Sequence, residues 1–577
     1  MSISGDKSHN LSLFKKIGSS LFIIGVLGLI YAFRKDAIEY ARVYAFFTMF
    51  IGTVLFTFKD AKHLLSFVYT KNTNFTQKIG LFLSTLGLFI LLAAWFGMKL
   101  EPYWLYLSLS LGSMAIGILI YTYGTYAGHP KGIKNNHVWH NSLTNKGILG
   151  WISGILLTGF YVQLYWFSDS LVELIHLFDP LAMLLKGKAA DQWFVYGTIY
   201  SFVILFLGIK FIVKYRHNKY QFYRTLVVIA SQLILAYFLP NILESMNDGI
   251  GYFNKDLKQV WPLNYYFTEG WSLDNMTKEQ NAGPSGFFFF IWGLFLFLVL
   301  TPLLTYLVGK RWYCSWVCGC GGLAETAGDS FRQLSSKTEI SWKIERWVIH
   351  SVMVFVLAMT VATLWPYFSG KDYEIGILSI SKIDYLIFIE ILLGITAVGL
   401  FLLAKKHKKT ILKVGAVLLI IIGLLLLNAY INDIKNVFYI ESRTIKKFYG
   451  FFVGAAFSGV IGVGFYPILG NRVWCRFGCP MAGYMGLFQR FKSKFRITTN
   501  GSQCISCGNC STYCEQGIDV RAYAQKGENI VRASCVGCGV CSAVCPRGVL
   551  KLENGPEEGR FESNPLIITK DGVKVNM

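Results

Sequence analysis

Two stretches decide how the end of this chain folds: Cys504-Ile505-Ser506-Cys507-Gly508-Asn509-Cys510-Ser511-Thr512-Tyr513-Cys514 and Cys535-Val536-Gly537-Cys538-Gly539-Val540-Cys541-Ser542-Ala543-Val544-Cys545-Pro546. Each reads C-x2-C-x2-C-x3-C. The short gaps let three thiolates of one loop grip three corners of a single inorganic cluster. Gly508, Gly537 and Gly539 suit loops whose backbone passes close to inorganic sulfide, leaving N–H groups free to bond it. Pro546 ends the last turn. Zinc is the competing reading of clustered cysteines, but eight thiolates in two such runs, with no histidine among them, favour iron–sulfur chemistry.

The doubled spacing is that of a bacterial dicluster ferredoxin, in which the fourth ligand of each cluster comes from the other motif. Cys504, Cys507, Cys510 and Cys545 are thus expected to hold one [4Fe–4S] cluster. Cys535, Cys538, Cys541 and Cys514 are expected to hold the second. Residues 481–577 read as a small α+β ferredoxin domain with its tail.

Upstream the composition is of another kind. Of 577 residues 54% are hydrophobic and only 15% charged, with 46 Phe and 32 Tyr. Soluble domains carry about 25% charged residues, so an ordinary cytosolic enzyme and a disordered chain are both excluded. Runs of roughly 20 apolar residues are needed to cross a bilayer, and in lipid they must be helices. About twelve are readable, at 17–33, 43–58, 79–98, 103–124, 147–167, 193–213, 225–242, 286–309, 346–366, 385–404, 412–431 and 449–469. The expected fold class is mainly α: a polytopic helical membrane protein with the ferredoxin domain at its C-terminal end. The organisation follows as an N-terminal membrane domain of about seven helices (1–245), an aromatic-rich outer loop (246–285), a second membrane domain of about five helices (286–480), and the ferredoxin domain. The first run follows Lys7, Lys15 and Lys16 but ends without a small-residue cleavage site, so it reads as an anchor.

The 55 Lys and Arg against 33 Asp and Glu leave a net charge of +22. Nucleic acid is not the expected partner, because the basic residues fall in loops between apolar runs. Lys59, Lys62, Lys71 and Lys78 occupy one such loop, Lys214, Arg216, Lys219 and Arg224 another, and Lys405, Lys406, Lys408, Lys409 and Lys413 a third. Alternating loops are slightly acidic. The positive-inside rule then places both termini and the ferredoxin domain in the cytoplasm, in a bacterial inner membrane. Arg490, Lys492, Lys494 and Arg496 link the last helix to the ferredoxin domain; anchoring on anionic lipid or docking of an acidic redox protein would both use them.

All 13 cysteines lie at or after Cys314. Four of those outside the ferredoxin motifs form an internal repeat. Arg311-Trp312-Tyr313-Cys314-Ser315-Trp316-Val317-Cys318 matches Arg472-Val473-Trp474-Cys475-Arg476-Phe477-Gly478-Cys479 as R-x-aromatic-C-x-aromatic-x-C, each copy following a helix that runs inward. Two copies of this kind are expected to face each other across a pseudo-twofold relation. If helical, a spacing of four puts both thiols of a pair on one face. Cys314, Cys318, Cys475 and Cys479 would supply four soft ligands for a metal or further cluster near the inner surface; a redox-active dithiol and a structural role are the alternatives. Cys320 is left over.

These two C-x3-C pairs followed by a dicluster tail resemble the NosR/NapH-type membrane polyferredoxins, to which the maturation factor CcoG is related. Cys-Ser-Trp-Val-Cys at 314–318 is especially similar to the NapH pattern, and Cys475-x3-Cys479-Pro480 to the C-x3-C-P form. The resemblance covers residues 286–555. It implies electron transfer between a quinone pool or cytoplasmic donor and a redox partner, as an oxidoreductase or a subunit of one. Gly319-Cys320 departs from the family's proline, and no S-G-A-T-like flavin attachment site is present. The helices before residue 245 have no counterpart in it.

No flavin or haem is expected: His350 alone among the histidines sits within a span, and His137 and His140 read as solvated loop residues. Glu390, in the middle of an apolar run, is a candidate proton or quinone site, since a carboxylate there needs a proton, a partner or a cavity. Gln163 and Gln232 read as interhelical hydrogen bonders. Two other functions compete with electron transfer: a metal-handling or maturation factor that reduces a metal or thiol during assembly of another enzyme, and a transporter whose clusters are structural.

Overall fold

Lipid offers backbone N–H and C=O groups no partner, so apolar runs satisfy them internally as helices. This is what the computed structural model of the protein shows for the residues it describes: 13–34, 74–127, 146–246, 291–309, 311–368, 373–375, 378–407, 410–554, 566–569 and 572–575, with short pieces at 44–45, 48–49, 51–52, 55, 143–144 and 288. In chain order the principal helices are α1 (Leu13–Arg34), α2 (Phe75–Trp95), α3 (Tyr103–Tyr126), α4 (Ile148–Trp166), α5 (Gln192–Lys214) and α6 (Lys219–Ser245). They continue with α7 (Ile291–Leu307), α8 (Gly319–Thr326), α9 (Glu339–Phe368), α10 (Lys382–His407), α11 (Thr410–Ile431), α12 (Ser442–Tyr449, prolonged as a π-helix over Gly450–Ile461) and α13 (Pro480–Lys492).

Eight helices among the described residues, α2 to α6 and α9 to α11, are long and apolar enough to cross a membrane. They coincide with eight of the twelve expected spans. The other four expected spans are not shown. Helix α1 runs through the whole of 17–33, and Ile291–Leu307 is the described apolar helix within 286–309. Most of 43–58 lies outside the described residues. The run 449–469 is broken after Ile461, where Gly462, Gly464 and Pro467 interrupt the helix and four residues form a turn. The loop 246–285 and residues His137 and His140 also lie almost wholly outside the described residues.

Small residues let the helices touch backbone to backbone. A Cβ at Gly80 of α2 would lie 2.5 Å from the Tyr121 nitrogen of α3, and one at Gly117 2.5 Å from the Ser84 nitrogen. Both glutamines expected to bridge helices do so: Trp95 Nε1 donates to Gln163 Oε1, and Gln232 Nε2 donates to the Val317 carbonyl at 2.5 Å.

The C-terminal module closes on itself through two antiparallel strands, Phe495–Thr499 and Leu550–Asn554, in register Phe495↔Asn554 to Thr499↔Leu550. Short helices Asn509–Thr512, Val520–Lys526 and Val540–Ala543 lie between them. Ile497, Ile518, Val520, Ala524, Ile530, Val540, Val544, Val549 and Leu550 form the core of the module, and Phe211 and Tyr215 from the end of α5 are part of that same core. Burying two such side chains contributes about 1.5–3 kcal/mol each, so the module is fused to the membrane half and does not hang from it on a tether.

Candidate iron–sulfur sites and the buried charges between them

Each C-x2-C-x2-C run folds the same way. Gly508 (φ +79°) and Gly539 (φ +69°) stand at the start of a one-turn helix carrying the third cysteine of its motif, Cys510 or Cys541. A left-handed backbone at that point costs a residue with a Cβ roughly 1–2 kcal/mol, which glycine avoids. Gly537 has φ +68° as well.

The structure gathers the eight thiols as the dicluster pattern expects. Cys504, Cys507, Cys510 and Cys545 line one recess with Ile505, Arg521 and Arg547. Cys514, Cys535, Cys538 and Cys541 line a second, with Tyr513, Glu515 and Val536. All eight are free. Burial, and then the neighbouring thiols of its set, push the Cys510 thiol up to about 11, while burial and Cys535 do the same for Cys514. Four sulfurs that repel one another when ionised, arranged about a common recess, are the donor set that a cluster with soft iron ions relieves. The residues present fit [4Fe–4S] groups.

The C-x3-C repeat adopts one geometry twice. Tyr313–Val317 and Trp474–Gly478 each make a single π-helical turn, and Cys318 and Cys479 follow in extended conformation. Cys318 N–H donates to the Tyr313 carbonyl (2.7 Å) and Cys479 N–H to that of Trp474 (3.0 Å). The expected helical face carrying both thiols is therefore replaced by a wide turn that ends at the second cysteine, released by Gly319 or Pro480 just beyond it. The two copies clasp each other: Arg311 Nη1 donates to the Cys475 carbonyl (3.3 Å), and Arg472 Nη1 to the Cys314 carbonyl (3.2 Å). This reciprocal pair is the pseudo-twofold relation itself.

Cys314, Cys318, Cys475 and Cys479 come together, and Cys320 joins them. Burial raises the Cys314 thiol, and Cys318, Cys479 and Cys475 raise it further. For Cys320 the hydrogen bond with Cys318 is the leading cause. The site packs against the middle of two long apolar helices. Gln232, which holds the Val317 carbonyl, lies roughly 20 Å along α6 from Lys219. A Cβ at Gly319 would fall 2.7 Å from the Tyr200 hydroxyl, within α5. α8 then descends beside α5 toward the ferredoxin module, passing Gly208 at Thr326.

Between the cysteine sites lies a group of buried charges. Arg332 binds Asp329 (2.7 Å), Glu515 (2.7 Å) and Glu325 (3.0 Å). Arg472 reaches Glu325 and Glu515, both at 3.0 Å, and its Nη1 lies 3.8 Å from Cys475 Sγ. Arg224 pairs with Glu325, and Lys214 with Asp329 (2.5 Å). Every one of these side chains is at most 5% exposed. Burial alone would raise the Glu325 carboxyl, but Arg224, Arg332 and Arg472 hold it well below the usual carboxylate range; Lys214 and Arg332 likewise overcome burial at Asp329. Four cations meet three anions, leaving one positive charge in excess beside thiols that become thiolates when they coordinate. The Cys538 sulfur lies within 4.8 Å of the Glu325 and Glu515 carboxylates.

Sequence reading missed this network. Lys214 and Arg224 were expected as loop charges on the inner face, and Glu515 had no assigned role although it directly follows Cys514. The one available signal was the arginine placed three residues before each repeat's first cysteine. The loop after α5 and the first turn of α6 also hold the second motif directly: His217 Nε2 of the loop donates to the Ala543 carbonyl (3.0 Å), and from α6 Gln221 Nε2 donates to the Cys538 carbonyl (2.7 Å) and Tyr220 OH to that of Gly537 (3.1 Å).

Glu390 stands apart. It lies against Gly423 of α11, in an apolar cluster that includes Ile389, Leu393, Leu419 and Ile422 and contains no cysteine. Lys494 sits over the Tyr306 ring at 5.1 Å, which ties the module's first strand to α7.

Comparison with known proteins agrees with the geometry. A family described as "4Fe-4S dicluster domain" matches residues 496–546, and one described as "4Fe-4S binding domain" matches twice, at 288–338 and 450–498. The second family thus covers both copies of the C-x3-C repeat. A protein of Escherichia coli K12, YccM, named there as a candidate electron transport protein, is 21% identical over 234 residues, 39% of this chain and 46% of its own length. The chain thus spans about half the length of that curated relative. No solved structure matches the chain. This is a membrane-type protein with 4Fe-4S ferredoxin domains.

Proposed function

We propose that the chain is a membrane-bound electron carrier of the NosR/NapH polyferredoxin kind. It passes electrons between a quinone pool or cytoplasmic donor and a redox partner through two [4Fe–4S] clusters. The observation that carries this reading is the packing of the second cysteine set onto the membrane half through Arg332, Arg472 and Glu515. A ferredoxin module sharing its core and its buried charges with membrane helices is built to exchange electrons with something held there. When bound, each cluster accepts and releases one electron at a time. Cys504, Cys507, Cys510 and Cys545 would hold the first, and Cys535, Cys538, Cys541 and Cys514 the second. The chain's own groups exclude water with Phe211, Tyr215 and Val536, and offset added negative charge with the surplus cation of the network. Cys314, Cys318, Cys475 and Cys479 form a third site, for a further cluster or metal.

The topology that suits this reading has twelve spans in a bacterial inner membrane, with both termini and the module in the cytoplasm, and domains at 1–245, 286–480 and 481–577. A second reading, a maturation factor that reduces a metal or thiol, draws support from the gathering of five thiols, Cys320 among them, at the C-x3-C site. Anaerobic purification of the full chain followed by redox titration with quinol tests both. The first reading expects about eight irons or more per chain and cluster reduction by quinol. Far fewer irons, or clusters that never change oxidation state, would end it.

A further inference from the structure

The two ferredoxin sites differ in what covers them, and this points to where electrons enter. The second set is roofed by the membrane half: Tyr220 and Gln221 bond its ligand loop, and Cys535 and Cys541 are buried. The first set faces outward. Cys507 is the one exposed cysteine of the eight. Around it the exposed Ile505 (56%) and Pro546 form a small apolar rim, with the Ser506 hydroxyl, which accepts from Gln525 Nε2, beside them. Two exposed arginines, Arg521 and Arg547, flank the rim, and among the described residues no Asp or Glu lines the recess.

Resting on the electron-carrier reading above, we propose that this face is the docking surface for a small acidic one-electron carrier protein. Three physical points combine. Electron tunnelling falls off steeply with distance, so the surface nearest a cluster ligand is the place of exchange. An apolar centre between like charges is the usual form of a transient redox contact, with charge steering the encounter and a small dry core closing it. Exposed arginines flanking a recess whose lining carries no carboxylate select a negative partner. In the encounter the reduced carrier loses one electron and the first site gains it; no bond is made and no proton need move. The order of sites is then first set, second set, Arg332–Arg472 network, C-x3-C site.

The test uses the full chain in lipid nanodiscs and a reduced plant-type [2Fe–2S] ferredoxin as an acidic carrier. Binding is measured by interferometry and cluster reduction by stopped-flow absorbance, with methyl viologen radical as a small reductant that needs no docking. Wild-type binding and reduction rate are expected to fall as salt rises, and the Arg521→Glu/Arg547→Glu double variant to lose about tenfold or more in both. Reduction by methyl viologen, a radical cation that the charge reversal cannot repel, is expected not to fall. Carrier binding that ignores both salt and charge reversal would overturn the proposal, as would an equal loss with methyl viologen, which would mean the arginines support the cluster site itself. Clusters that methyl viologen cannot reduce at all would overturn the electron-carrier reading instead.

Discussion

The two cysteine motifs of the ferredoxin module have the same spacing and the same backbone turn, yet opposite surroundings. The first opens to solvent beside Arg521 and Arg547; the second is pressed against α5, α6 and the buried ions of Glu325, Arg332 and Glu515. Spacing therefore settles what each motif can bind, and packing settles what it can exchange electrons with. The same lesson holds within the C-x3-C repeat. Two matching octapeptides build one site because Arg311 and Arg472 each reach across to the other copy.

The sharpest way to break the comparison is to remove a crossing ligand. Cys514→Ala is expected to abolish the second cluster and leave the first, lowering iron from about eight toward about four per chain if those two sets alone are loaded. Cys545→Ala should do the reverse, with the loss at the solvent-facing site. Electron paramagnetic resonance of the two variants would reverse the assignment if Cys514→Ala instead spared the buried site.

Arg332 tests the buried side alone. Arg332→Ala leaves Glu515 and Asp329 short of a partner in a closed site, and loss of one member of such a group costs about 3–5 kcal/mol. Thermal unfolding of the detergent-solubilised chain should show it. An unchanged midpoint would mean that the network contributes nothing to holding the halves together.

Matched glycines compare the two motifs under the same change. At Gly508 a Cβ meets nothing within 4 Å, so Gly508→Ala should cost only the roughly 1–2 kcal/mol of left-handed backbone. At Gly539 it would meet Leu552 Cδ2 at 2.9 Å and Gln221 Nε2 at 3.2 Å, so the alanine should cost more there and disturb the contact with α6. Denaturation of the paired variants would refute the environmental difference if the two losses were equal. The most local effect on the clusters is expected at Gln221: its alanine variant loses the donation to the Cys538 carbonyl and the acceptance from the buried Arg224 Nη2 (2.7 Å), about 2–4 kcal/mol together, and should shift the potential of the second cluster while leaving the first in place. Potentiometric titration separates the two.

Much of this was legible from residue order. The internal repeat and eight of the spans stand in the structure where the sequence put them, the eight tail cysteines line two recesses, and Gly508, Gly537 and Gly539, read from sequence only as loop glycines close to sulfide, take left-handed backbone. Spacing and hydropathy are local properties: thiols three residues apart must share a loop, and a long apolar run must satisfy its own backbone. What local pattern could not show is which charges are solvated. Lys214 and Arg224 look like any basic loop residues in sequence, and so the loop rule accounted for them; only the fold brings Asp329, 115 positions later, within 2.5 Å of Lys214, and Glu325 against Arg224. The packing of the C-x3-C site against Tyr200 and Gln232 and the roof over the second cysteine set were likewise decided by tertiary structure. Chain order carries the chemistry of each group, but whether water, lipid or another segment meets it depends on contacts across hundreds of residues, for which no short stretch holds the record.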